Sequence, residues 1–94
     1  MVGQNTGAGY AEVDAAPALW INRHPSVAHF QSLFLAFEHL PVHLQEVARP
    51  FTLAALAMLV HCQDGPELAA GLRKLLKAKD CAVRQAVIDQ QAVT

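Results

Sequence analysis

Apolar residues along this chain recur at helical spacing from its first quarter onward. Val27, Phe30, Phe34 and Phe37 follow one another at intervals of 3, 4 and 3, the signature of one buried helical face. That helix is expected to start at Pro25 or Ser26, because proline fits a first helical turn. It should end near Glu38 and His39, since Pro41 disfavours helical geometry at Leu40. From Pro41 to about Cys62 a second helix is predicted, on Leu40, Leu44, Val47, Phe51, Ala54, Met58 and His61 in alternating steps of 4 and 3. Pro50 removes one backbone donor inside it, which predicts a kink or a break near Val47. Between Leu53 and Val60 this helix is apolar all round, so it must pack on more than one side. "QDGP" then turns the chain: Gly65 ends one helix and Pro66 opens the next, with Glu67 at the positive end of its dipole. The third helix should run to about Asp89, keeping the same rhythm at Leu68, Leu72, Leu75, Lys79, Ala82 and Ala86. No segment alternates with period two, so no sheet is expected.

The predicted fold is all-α: a short N-terminal helix, then a long antiparallel helical hairpin over residues 41–89, within one helical domain spanning 17–94. Residues 1–16 show no sustained period and read as a flexible arm. Their glycines do not make a phosphate loop, as no lysine follows and no strand precedes. The apolar run in the second helix exceeds what a two-helix hairpin covers, so an oligomer is expected.

Composition narrows the function classes. The 94 residues are 53% hydrophobic and only 16% charged, more apolar than an average domain. A formal net charge of −1 gives no bulk attraction to DNA or to an anionic membrane, so neither is an expected partner. The longest apolar run has eight residues, too few to cross a bilayer, and the first residues lack the form of a signal peptide. Two cysteines suit reduced thiols and a cytoplasmic location. Cys62 and Cys81 would lie at different heights in the hairpin, roughly 18 Å apart, too far for a disulfide.

Charge is concentrated rather than abundant. Five of the seven Lys and Arg residues, Arg73, Lys74, Lys77, Lys79 and Arg84, fall within twelve positions of the third helix. At ~100° per residue, Arg73, Lys77 and Arg84 form a stripe opposite the leucine face, Lys74 lies to one flank, and Lys79 falls inside the apolar seam. The stripe reads either as a solvated face, with Lys77 paired to Asp80, or as an anion-binding surface. Lys79 must snorkel out, find a carboxylate, or meet an anion from outside. His39, His43 and Glu46 do not make a convincing metal site, because Pro41 interrupts their register and no cysteine joins them at zinc-ligand spacing. His61, on the seam, reads as buried or interfacial. No nucleophile has a nearby His–acid arrangement and no carboxylate pair shares a helical face, so no enzyme and no cofactor is expected.

The stretch "FEHLPVHLQEVARPF…DGPELAAGLRKLLKAKDCAVRQAV" resembles small proteins of actinobacterial phages, and these in turn resemble the helical-hairpin domain of phage anti-CBASS and anti-Thoeris sponges. Leu72, Lys74, Leu75, Ala78, Ala82 and Ala86 are spaced as that family's LxKLxxAxxxAxxxA helix, and the likeness covers Phe37 to Val87. It implies a non-enzymatic protein of the infected bacterial cytoplasm that sequesters cyclic di- or trinucleotide immune signals. It also implies a homo-oligomer, a hexamer in that family, with pockets between subunits. An aromatic that stacks on a base would be Phe37. The family's basic phosphate contact falls near Thr52, a departure for which Arg49, one turn earlier, could substitute. Lys74 matches the family helix and Arg73 neighbours it, so the implied ligand set is Phe37, Arg49, Thr52, Arg73 and Lys74, with Lys77, Lys79 and Arg84 as further cations. The rival expectation is a helical interaction protein, a phage accessory factor docking on a host or virion protein. A nucleic-acid binder ranks last, because Glu67, Asp80 and Asp89 counter the cations on the same helix.

Overall fold

The computed structural model describes residues 16–35 and 39–93, and among them all regular structure is helical. Five helices follow in order: α1 (Ala16–Trp20), α2 (Pro25–Ala28), α3 (Phe30–Leu35), α4 (Val42–His61) and α5 (Pro66–Val93). The predicted arm lies outside the described residues except for Ala16, which opens α1. Helix α1 was not anticipated. It ends at Trp20, and the turn that follows holds Asn22, whose φ of 65° is left-handed, a conformation that asparagine tolerates better than most residues.

The single helix expected from Pro25 to about His39 is instead two short ones with a turn at His29. His24 caps α2, its Nδ1 accepting from the Ser26 N–H, and Pro25 takes the first position as foreseen. At His29 the backbone stays right-handed, but its ring Nδ1 lies 3.0 Å from the Pro25 carbonyl. That carbonyl is therefore shared, and the backbone bond to it lengthens to 3.3 Å. The apolar face survives the interruption, with Val27, Phe30 and Phe34 all buried.

Pro50 does not break α4, which runs unbroken for 20 residues from Val42 to His61. The carbonyl that Pro50 leaves without its helical donor belongs to Glu46, and both residues are exposed, so water can take the place of the lost bond. Pro41 and the Leu40 carbonyl anchor the start: Leu44 and Gln45 donate to Pro41, and the Gln45 side chain donates to Leu40 at 2.8 Å. After Cys62–Gly65, α5 extends to Val93, four residues beyond the expected end.

The two long helices make the most extensive contact in the chain, and the short helices close over them. Trp20, Val27, Phe30, Phe34, Ala55, Leu56, Leu59, Leu68 and Leu72 form the core. Within the Leu53–Val60 run, Ala55, Leu56 and Leu59 are buried, while Ala57 and Val60 remain exposed. Part of its several-sided packing is met within the chain, by α1, α3 and α5.

Helices α4 and α5 approach closely at Gly71, where an added Cβ would stand 2.9 Å from the Met58 Cε. The obstructing atom is the end of a flexible side chain, whereas alanine gains about 1 kcal/mol of helix propensity over glycine. Gly71→Ala should therefore raise the thermal midpoint slightly, and Gly71→Leu should lower it. A destabilised alanine variant in a circular-dichroism melt would mean that Met58 has no room to move.

Candidate interaction surface

Every cation singled out in the sequence has a place in this frame, and the places divide into inside and outside. Lys79 is 9% exposed, and its Nζ donates to the Leu33 carbonyl at 2.7 Å, in the last turn of α3. It also sits 5.8 Å from the centroid of the Phe34 ring. Thr52, 1% exposed, reaches the same turn from α4, its Oγ1 donating to the Phe34 carbonyl at 2.7 Å. Two long helices thus each send one donor to the C-terminal carbonyls of α3, where partial negative charge gathers. Among the described residues Lys79 meets no carboxylate: its ammonium is held by a backbone carbonyl. Burial pushes its pKa below the usual 10.5, with Asp80 opposing the shift.

Because the charged form is disfavoured in the folded protein, folding is penalised at neutral pH, and the penalty fades as pH rises toward 10.5. Lys79→Met removes that penalty along with the part-buried bond to the Leu33 carbonyl, two changes of opposite sign. The expected net change at pH 7 is within about 1 kcal/mol. Melts at pH 7 and pH 10 check this: the parent should gain relative to the methionine variant on the alkaline side.

Arg49 pairs with Glu46 at 2.6 Å, one helical turn away. The guanidinium of Arg73 lies 5.4 Å from the centroid of Phe30, a ring that is itself 1% exposed and so offers no free face for a nucleobase. Lys74, Lys77 and Arg84 stand on the exposed side of α5, with Arg84 donating to the Cys81 Sγ at 3.6 Å. No ion pair links Lys77 to Asp80, the pair that the solvated-face alternative included. Phe37 lies outside the described residues. The structure therefore brings Thr52 and Lys79 together around α3, leans Arg73 on it, and leaves Lys74, Lys77 and Arg84 facing out.

No protein family, curated protein or solved structure matches the chain.

One residue that sequence reasoning missed makes four side-chain hydrogen bonds. Arg23 Nε donates to the Leu19 carbonyl at 3.2 Å, and its Nη1 donates to the Cys62 carbonyl and to Asp64 Oδ1, both at 3.0 Å. Its Nη2 donates to the Leu59 carbonyl. One guanidinium thus closes the ends of α1 and α4 and the connection to α5. Asp64 completes the junction by accepting the His24 backbone N–H at 2.7 Å. That bond first, and the Arg23 guanidinium second, hold its carboxyl below the ordinary 3.8.

The remaining candidate chemistry is dispersed. His61 is exposed rather than buried, because the Leu59 side of that turn carries the packing. His39 and His43 are exposed too, and among the described residues no group of His, Cys, Asp or Glu is arranged to hold a metal. Cys62 and Cys81 are free, exposed thiols. No helix among the described residues is long and apolar enough to cross a membrane.

Proposed function

We propose that the protein is a non-enzymatic helical interaction protein, in which α4 and α5 form an antiparallel hairpin whose outer, cationic face engages a partner bearing carboxylates or phosphates. The observation that carries this reading is the division of the cations. Arg23 and Lys79 are spent on backbone carbonyls, whereas Lys74, Lys77 and Arg84 point to solvent along one side of α5. A cyclic-oligonucleotide sponge needs a cation and an open aromatic face in one concave pocket. Among the described residues, the rings that cations approach, Phe30 and Phe34, are both buried.

Calorimetric titration separates the two uses. Polyglutamate should bind, weaken as salt is raised, and lose affinity in Lys77→Glu/Arg84→Glu. A panel of cyclic di- and trinucleotides should give no saturable binding below about 100 µM. A cyclic nucleotide that binds tightly, in the absence of any response to polyglutamate, would replace this reading with the sponge.

A further inference from the structure

We infer that the outer face of α5 is a docking seam for an acidic amphipathic helix of a partner protein, an inference that rests on the reading above. Ala70, Lys74, Lys77, Cys81, Arg84 and Ile88 follow one another at intervals of 4, 3, 4, 3 and 4. At ~100° per residue they fall within a band ~80° wide, with Lys74 at one edge and Arg84 at the other, opposite the buried line of Leu68, Leu72 and Lys79. All are exposed except Ala70, which is half-buried, and Ile88 is 56% exposed at the far end. The seam is mixed in a particular way. Small or apolar side chains at Ala70, Cys81 and Ile88 allow close approach of a second helix, and the three cations between them require negative charge from it.

Among the described residues none of those three cations is held in an ion pair, although Glu67, Asp80 and Asp89 share the helix with them. Asp89 accepts from Gln85 at 2.8 Å, on another side of the helix, and Lys77 makes no ion pair with Asp80. Spacing argues for a helical partner over an extended one. Lys74, Lys77 and Arg84 are separated by one and two helical turns, roughly 5 and 10 Å, and a helix lying alongside repeats its own carboxylates at the same intervals. An extended chain, with ~3.3 Å per residue, falls out of step with them. The stretch from Ala70 to Ile88 is five turns long, ~27 Å, enough for about two and a half heptads of a partner.

The test is fluorescence anisotropy with the full chain and a labelled three-heptad peptide of about 21 residues, leucines on its docking face and glutamates on both flanks. Controls are a scrambled peptide of the same composition, polyglutamate, and a cyclic dinucleotide. The designed helix should bind in the tens of micromolar or tighter, about fivefold or more better than the scrambled peptide. Lys77→Glu/Arg84→Glu should weaken it about tenfold, and Ile88→Asp several-fold, with unchanged melting curves, as all three positions are exposed. Equal binding of the helix, the scrambled peptide and polyglutamate would overturn the helical partner while leaving the charge reading intact. Failure of every acidic probe would overturn both, and binding of the cyclic dinucleotide alone would favour the sponge.

Discussion

Phe34→Ala should cost about 3–5 kcal/mol, the usual penalty for emptying a large aromatic site in a core. Phe34 is 0% exposed and packs with Phe30, ring centroids 6.3 Å apart. Its ring also lies beneath Lys79, and its carbonyl receives the Thr52 hydroxyl, so the cavity would open where α3, α4 and α5 meet. A small domain has on the order of 5–15 kcal/mol of stability in total, and about 4–8 °C of melting temperature accompanies each kcal/mol at this size. The variant should therefore melt on the order of 20 °C lower, and Phe34→Leu, which keeps most of the volume, should lose far less. If alanine cost under about 1 kcal/mol in urea titrations, α3 would not be packed against the long helices as described.

Arg23→Ala should be the most damaging change to a polar residue, at about 2–4 kcal/mol. Hydrogen bonds from a charged group contribute about 1.5–3 kcal/mol each when their partners lose solvation, and Arg23 serves three carbonyls and Asp64 with a side chain only 17% exposed. Arg23→Lys should recover less than half of the loss, because a single ammonium cannot reproduce the forked donor geometry. The junction also carries a pH signature. The Asp64 carboxyl is held below 3.8, so its contribution is fully present above that value and fades as pH falls through the lower, folded-state pKa. Asp64→Asn should flatten the acid limb of the stability profile, and a parent-like acid limb in that variant would place the pH dependence elsewhere.

Periodicity made the long helices and the connection between them legible. Steps of 3 and 4 place Leu68 and Leu72 in the core, and "QDGP" marks the turn between α4 and α5. The seam expected along Val47, Phe51, Ala54, Met58 and His61, however, is only half-buried or exposed. Helix α4 instead buries Ala48, Thr52, Ala55, Leu56 and Leu59, where α1, α3 and α5 all pack on it. Helix α1 was not legible, because five residues are too few to display a period. Nor was the turn at His29, which depends on a ring nitrogen competing for one carbonyl. Lys79 stood out as a charge in an apolar seam, yet its partner, the Leu33 carbonyl, is 46 residues away and is a group every residue has. Arg23 was invisible for the same reason. Its ligands are mostly backbone oxygens, and no residue type announces them in advance. Of the two places expected for His61, buried or interfacial, the structure removes the first, because the heptad line runs on to a helix end that this chain leaves exposed.

The central claim is that the chain divides its cations between holding the fold and meeting a partner, and one binding series tests it. Polyglutamate is titrated into the parent, into Lys79→Met, and into Lys77→Glu/Arg84→Glu, at one salt concentration and with melting curves confirming that each is folded. The division predicts parent-like affinity for Lys79→Met, whose ammonium is bonded to Leu33, and a loss of about tenfold for the double reversal of the outward pair. Loss of binding in Lys79→Met, with the double reversal unaffected, would contradict it.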